Sequence, residues 1–141
     1  MLGPIAAGAP LDVFDSGDVE LLEVDALNPA LTGKRRSSQR DAFALRVRGD
    51  SMTEDGILDG DCAIIAAGPT VAQGAIAVAL HLRANGGRGE VTLKHVFVET
   101  DAVRLQPANP AFRARTIPRE EWDREWRVQG ALVEVRRRYP H

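Results

Sequence analysis

A chain of 141 residues suffices for one domain with its own apolar core. Its 18 basic and 20 acidic residues leave a net charge of -2, which gives no electrostatic reason to expect nucleic acid or an anionic membrane as the main partner. The single cysteine excludes an intrachain disulfide and a cysteine metal cluster, and a small buried hydrophobe is the simplest interpretation of Cys62. No apolar run is long enough to span a membrane, and no basic region precedes an N-terminal apolar stretch. We therefore expect a cytoplasmic protein.

The first forty residues carry weak signals of regular structure. Residues 1–11 are rich in glycine, alanine and proline, which argues against a helix and would let the backbone pass close to another surface. Residues 12–24 suggest a weak strand, and the polar stretch 25–41, interrupted by Pro29 and Gly33, suggests a solvated loop.

From Ala42 onward the apolar residues recur with a period of two, which is typical of half-buried strands. The glycine-rich stretch 85–89, Asn-Gly-Gly-Arg-Gly, predicts a hairpin loop. Pro118 to Trp122 predict one helical turn, with proline in the first position and acids in the first turn. Many short strand-like segments and little helix predict a mainly β domain. The predicted strands cover 42–48, 61–67, 76–82, 90–99, 101–105 and 128–139.

One stretch combines a serine with a sharp turn: Val47-Arg48-Gly49-Asp50-Ser51-Met52, followed by Gly56-Ile57-Leu58-Asp59-Gly60-Asp61. A serine after Gly-Asp is commonly a turn former or a helix N-cap. It acts as a nucleophile only with a base in reach and with donors for the oxyanion. Gly49 permits a turn tight enough to aim successive N–H groups at one oxygen, and those of Asp50 and Ser51 are the candidates.

Lys94 is a lone lysine within a strand-like run. Alternation places it on one face with Thr92, Val96 and Val98, opposite the face that carries His95. Enclosure among apolar groups favours an uncharged amine, which is the form that can act as a base. The alternative is a lysine whose stem is buried and whose ammonium reaches water, and spacing alone favours that alternative.

Other chemistries have weaker support. His95 could be a base oriented by Asp59 or Asp61, but in a regular strand only one of Lys94 and His95 can face Ser51. The three histidines show no paired ligand spacing, so we expect no metal site. The acids at 55, 59 and 61 do not match a calcium loop, and no phosphate-binding or dinucleotide motif is present.

Several motifs together resemble the self-cleaving domain of LexA-type repressors, a domain shared by UmuD and the lambda-type phage repressors. In chain order they are Ala6-Ala7-Gly8, Val47-x-Gly-Asp-Ser-Met, Gly56-Ile-x-Asp-Gly-Asp, Val91-Thr-Leu-Lys and Leu105-x-Pro-x-Asn-Pro. Each motif is weak alone; their order and spacing are specific, and the likeness covers nearly the whole chain. The stretch from Asp15 to Asp41 matches least.

The resemblance implies roles for particular residues. Ser51 matches the nucleophile, Lys94 the neutral lysine that takes its proton, and Ala7–Gly8 the bond that is cut. It divides the chain into a cleavage-site region, 1–11, and a Ser/Lys peptidase domain, 12–141. It also implies a compact LexA/signal-peptidase-like β fold of short, strongly bent strands, no cofactor, a homodimer formed through C-terminal strands, and stimulation by the RecA–single-stranded-DNA filament. Cleavage is expected to accelerate as pH rises.

The chain departs from that family in three respects: no helix-turn-helix precedes the cleavage region, and both the 83–90 hairpin loop and the polar 25–41 segment are longer than in the family's usual versions. We therefore expect DNA binding only through a domain absent from this chain. A second hypothesis is a UmuD-like accessory module of a translesion DNA polymerase. Two weaker alternatives are a signal-peptidase relative, which normally needs a membrane anchor, and an inactive scaffold, which retention of Ser51 and Lys94 disfavours.

Overall fold

The fold is seen in a computed structural model that describes residues 14–15, 18–21, 42–82 and 89–137. The cleavage-site region 1–11 and the polar stretch 25–41 lie outside these ranges, so neither those predictions nor the domain division is tested. In the described part of the chain no helix is long and apolar enough to cross a bilayer.

Within the described ranges the chain forms nine strands and one α-helix. They are β1 (Phe14–Asp15), β2 (Val19–Leu21), β3 (Ala42–Val47), β4 (Cys62–Ala67), β5 (Ile76–His81), β6 (Gly89–Val98), β7 (Ala102–Gln106), β8 (Arg115–Pro118), α1 (Arg119–Glu125) and β9 (Trp126–Arg136), with a 3₁₀ turn at Thr53–Asp55. The prediction of a mainly β domain is confirmed.

All nine strands belong to one sheet. Its order is β2-β3-β4-β9-β5-β6-β7-β8, with β1 pairing in parallel to the first residues of β6. The register of β9 shifts where it pairs with β4, between Ile64 and Ile65, and where it pairs with β5, between Val78 and Ala79. Such irregularities bend a strand and increase its twist, which is consistent with the expected short, bent strands.

The sheet has apolar cores on both faces. One cluster contains Leu45, Ile65, Val78 and Leu93 among others, and the second contains Ala77, Val96 and Trp126 among others. Consecutive residues of β5 contribute to opposite clusters, so this strand is buried on both faces rather than half-buried. Leu82, predicted to continue its alternation, lies beyond β5 and is 39% exposed.

The region around the helix differs from the sequence prediction. Pro118 is the last residue of β8, paired with Ala102, and its extended ψ of 143° places it before the helix rather than in the first helical position. The helix runs seven residues, with Glu120 and Glu121 in its first turn as expected. Strand β8 was not predicted, because only Ile117 of its four residues is buried.

The antiparallel pairing that a hairpin requires is confirmed, since β5 pairs with β6 from Ile76↔His95 to His81↔Glu90. Residues 83–88 of the predicted loop lie outside the described ranges, and Gly89 belongs to β6. Strand β6 is the central element of the candidate site. On its other edge, β1 pairs with Gly89 and Glu90, and β7 begins to pair only at His95. Within the described ranges the intervening residues, 91–94, therefore have no strand partner on that edge.

Candidate active site

Ser51 lies in the loop that follows β3. The backbone turns at Gly49, whose φ of 83° is in the left-handed region that glycine adopts without strain. The Gly49 N–H donates to Asp59 Oδ1 at 2.7 Å, which fixes the turn. Ser51 itself is buried, with 6% of its surface exposed, so its hydroxyl faces a pocket rather than bulk water.

The Gly-Ile-x-Asp-Gly-Asp motif at 56–61 stabilises one side of this loop. Asp61, 2% exposed, accepts hydrogen bonds from the Leu58 N–H at 2.8 Å and from Arg137 Nε and Nη2, each at 2.7 Å. The Arg137 guanidinium holds the pKa of the Asp61 carboxyl below its ordinary value, and the Leu58 N–H adds to this effect against the opposing influence of burial. Asp61 and Asp59 are therefore structural anchors and do not orient a histidine.

The Pro107–Pro110 turn fixes the same loop from the opposite side. The Ala108 N–H donates to the Ser51 carbonyl at 2.8 Å, and Asn109 Nδ2 donates to the Asp50 carbonyl at 2.8 Å. Because a trans peptide unit is planar, anchoring the Asp50 carbonyl aims the Ser51 N–H in the opposite direction. Among the described residues, neither the Asp50 N–H nor the Ser51 N–H has an acceptor, so both are available to a bound oxyanion.

Asn109→Ala is therefore expected to slow any reaction at Ser51 by about tenfold while costing about 1 kcal/mol of stability. The variant loses the Asp50 contact and also the acceptor for the Ala111 N–H at 2.8 Å. Urea unfolding and the rate of cleavage, measured side by side, separate these effects. Gln106→Ala, which loses only a 3.4 Å bond to the Pro107 carbonyl, is the matched control and should leave both quantities nearly unchanged.

Lys94 projects from β6 into the same pocket. Its ammonium nitrogen lies 2.7 Å from Thr92 Oγ1, so the two residues share a face as alternation predicted. Its side chain is 15% exposed. The nearest charged neighbour is the Asp18 carboxylate, with which Nζ forms an ion pair. The strand pattern indicated apolar neighbours and could not reveal this acid.

Asp18 connects the two predicted catalytic residues. Its Oδ2 contacts Lys94 Nζ and accepts from Ser51 Oγ at 3.3 Å. Ser51 and Lys94, 43 residues apart in sequence, are thus within about two hydrogen-bond lengths of each other, roughly 6 Å at most. The structure forms no direct hydrogen bond between them. Asp18 was missed because it lies in a weakly patterned segment, and no local signal indicates its contact with β6.

His95 does not serve Ser51. It projects from the face of β6 opposite Lys94, where its Nε2 lies 2.5 Å from Asp55 Oδ2 and its Nδ1 lies 2.8 Å from the Gly74 carbonyl. The Ser-His-Asp alternative is therefore wrong, since the imidazole is already engaged and neither Asp59 nor Asp61 contacts it.

The pocket around Ser51 has a volume of about 380 Å³. Its walls combine apolar and charged groups, so it can accept a peptide backbone with a small side chain. Besides Asp18, Ser51 and Lys94, it is lined by Arg48, Gly49, Asp50, Glu90, Thr92, Leu105, Phe112, Arg113 and Arg115.

A second polar cluster lies where α1 meets the end of β5. His81, Glu121 and Glu125 each place a donor atom within 4.8 Å of the others. His81 Nε2 lies 3.1 Å from Glu125 Oε1, and this hydrogen bond lowers the pKa of the Glu125 carboxyl. His81 also stacks on Trp126 with ring centroids 4.3 Å apart. The sequence spacing gave no sign of this cluster, because His81 ends β5 whereas both glutamates lie far along the chain in α1. Its observed contacts join α1 to the sheet.

Residues 1–133 match the family described as Peptidase S24-like, and the chain belongs to that family. The match includes Ser51, Lys94 and the Ala7–Gly8 segment.

Three curated relatives are LexA repressors. This chain is 40% identical over 139 residues to the protein of Acidiphilium cryptum, 39% over 137 residues to that of Erythrobacter litoralis, and 34% over 142 residues to that of Myxococcus xanthus. These alignments cover 97–99% of the chain but 51–56% of the relatives. The chain thus spans about half the length of the curated relatives it matches.

Proposed function

We propose that this chain is the self-cleavage domain of a LexA-like repressor of the SOS response, a serine peptidase that cuts its own Ala7–Gly8 bond. Ser51 is the nucleophile and Lys94 the general base. The observation that carries the proposal is that both side chains contact the same carboxylate oxygen in one pocket. Membership of the S24-like family supports it.

The reaction follows from the chemistry of these groups. Neutral Lys94 accepts the Ser51 Oγ proton as Oγ bonds to the Ala7 carbonyl carbon. The oxyanion is stabilised by the N–H groups of Asp50 and Ser51. The Ala7–Gly8 C–N bond then breaks, and the Lys94 ammonium returns the proton to the departing Gly8 amine. Water, deprotonated by Lys94, hydrolyses the ester and regenerates Ser51. No metal or organic cofactor is required.

The substrate is tethered close to the site. Gly8 precedes Phe14 by six residues, a length that extends at most about 20–22 Å, and β1 pairs with Gly89 and Glu90 beside the pocket. The attack is intramolecular, and well-oriented intramolecular reactions have effective molarities of about 10⁵–10⁸ M. The rate is therefore limited by how often the bond docks and how often Lys94 is neutral.

The partners belong to the proposal as well. We assign the RecA–single-stranded-DNA filament, in the cytoplasm, as the activator that favours the docked state, and a second copy of the chain as the dimer partner. DNA binding is assigned to a part of the longer repressor outside this chain. Since the curated relatives are LexA repressors, no observation favours the UmuD-like accessory alternative.

The proposal is tested by intact mass spectrometry after incubation at about pH 10, where an ordinary lysine is substantially deprotonated. The parent chain should lose the mass of residues 1–7, and Ser51→Ala should keep its full mass. A folded parent that remains intact, or a cut that persists in Ser51→Ala, would contradict the assignment.

A further inference from the structure

The Asp18 carboxylate occupies the centre of the candidate active site. Its Oδ2 contacts Lys94 Nζ and accepts from Thr92 Oγ1 at 2.9 Å and Ser51 Oγ at 3.3 Å, while its Oδ1 accepts from the Leu93 N–H at 3.2 Å. Four donors from two elements therefore converge on one side chain. None of the predicted roles accounts for this acid.

This arrangement opposes the chemistry that the site has to perform. A base needs a free lone pair, and an anion in contact with an amine favours its protonated form. Ser51 must donate its proton to Lys94, but here its hydroxyl donates to Asp18. The geometry thus stabilises a site whose base is charged and whose nucleophile has the wrong acceptor.

The backbone holds Asp18 in this position. Its carbonyl accepts from the Arg48 N–H at 2.7 Å, and the next residue, Val19, pairs with Val47 as β2 begins. The Leu93 N–H that Asp18 binds belongs to the stretch of β6, 91–94, that lacks a strand partner within the described ranges. Asp18 therefore supplies a hydrogen-bond acceptor to the Leu93 N–H on a strand edge that faces the pocket.

We propose that Asp18 is a built-in brake on self-cleavage, which must leave Lys94 and Ser51 before the Ala7–Gly8 bond can be attacked. The inference deepens the proposed function and rests on it. The pocket that Asp18 lines is the one that the cleavage segment has to enter, so docking of that segment and departure of Asp18 are coupled. An activator that stabilises the docked state thereby also releases the base.

The remaining charges around the pocket balance once Asp18 has moved. The other charged lining residues are Arg48, Asp50, Glu90, Arg113 and Arg115. Of these, Arg48 pairs with Glu20 and Arg115 with Glu90. Among the described residues, Asp18 is therefore the one acid in direct contact with Lys94 Nζ.

The first test is the rate of self-cleavage of Asp18→Asn between about pH 7 and 10. Asparagine keeps the size and the backbone tether but removes the charge. A contacting opposite charge generally shifts a protonation equilibrium by about 10- to 1,000-fold, so we expect cleavage near neutral pH to be at least tenfold faster than in the parent, with the rate profile displaced to lower pH. Asp18→Ser provides a second neutral variant if asparagine lowers stability.

The matched control is Glu20→Gln. It removes an acid two residues away whose carboxylate pairs with Arg48 rather than with the Ser51–Lys94 site. Glu20→Gln should cleave at the parent rate. Equal acceleration in both variants, or an unchanged or slower rate in folded Asp18→Asn while the parent cleaves at about pH 10, would overturn the brake and leave the proposed function standing.

A second measurement is independent of cleavage. Amine-reactive labelling in a Ser51→Ala background reports the neutral fraction of Lys94, and Lys34, the other lysine of the chain, serves as the internal reference. Adding Asp18→Asn should raise the Lys94/Lys34 labelling ratio at least tenfold at neutral pH, whereas adding Glu20→Gln should not. An unchanged ratio overturns the brake. A raised ratio, combined with no cleavage of the Ala7–Gly8 bond in chains that keep Ser51, would support the ion pair and contradict the proposed function.

Discussion

Replacing Lys94 by methionine is expected to slow self-cleavage by about 100- to 10,000-fold between pH 7 and 10, the range that general-base catalysis typically contributes. Methionine keeps an unbranched stem of similar length, so the buried part of the side chain is largely replaced. The amine that contacts Thr92 Oγ1 and Asp18 is lost. The rate should also lose its rise with pH, since no group remains that gains a lone pair on deprotonation. Time courses of intact mass measure both effects.

The chain offers a matched control for this variant, because its only other lysine is Lys34. Lys34→Met removes the same chemical group and should cleave at the parent rate with the parent pH profile. If Lys94→Met cleaves at a rate comparable to that of Lys34→Met, another group is the base and the Ser/Lys assignment fails. Thermal unfolding of both variants establishes that the rates are compared between folded chains.

Asp61→Asn is expected to destabilise the domain by about 3 kcal/mol at pH 7. The substitution is nearly isosteric, but it removes the charge that two Arg137 nitrogens contact and turns an amide N–H₂ or a neutral oxygen toward them. Breaking one partner of a buried pair generally costs about 3–5 kcal/mol. The Arg137 side chain is 37% exposed and can rehydrate, which places the expected value at the lower end. Urea unfolding gives the difference directly.

The pH dependence of that difference has a definite sign. The Arg137 guanidinium holds the folded-state pKa of Asp61 below the ordinary value of an aspartate, so the stability it supplies is fully present above about pH 4 and is lost as pH falls through the folded pKa. The gap between parent and Asp61→Asn should therefore be constant from pH 7 to 5 and narrow below pH 4. Glu54→Gln, an exposed acid in the same loop, should change stability by less than about 0.5 kcal/mol. A gap that widens in acid would refute this role for Asp61.

The sequence predicted much of the fold because strand periodicity is local. Phe43, Leu45 and Val47 alternate and are buried, and the glycines between the strands at 76–82 and 90–99 predicted their antiparallel pairing. Periodicity could not show that Ala77 and Ala79 face a second core, because alanine is compatible with either environment. It also missed β8, whose strand conformation depends on pairing with β7 rather than on its own composition.

The candidate site was predicted only in part, for a related reason. Ser51 was recognisable because a glycine turn and an ordered set of motifs surround it, and Lys94 because alternation assigns it a face. The role of Asp59 and Asp61 as anchors of the loop required the positions of Gly49 and Leu58 within the loop and of Arg137, which follows β9. Asp18 lies 33 residues before Ser51 and 76 before Lys94, and nothing local marks it. Its discovery depended on the tertiary packing of β2 beside β6.

The central claim is that one molecule contains both the peptidase and the bond it cuts. The most direct measurement mixes unlabelled parent with an equal amount of ¹⁵N-labelled Ser51→Ala chain at about pH 10 and follows both intact masses. The account predicts that the unlabelled chain loses residues 1–7 while the labelled chain keeps its full mass, at a rate that does not change on dilution. Two intact chains would exclude a self-cleaving peptidase, and cleavage of the labelled chain would show that Ser51 attacks another molecule.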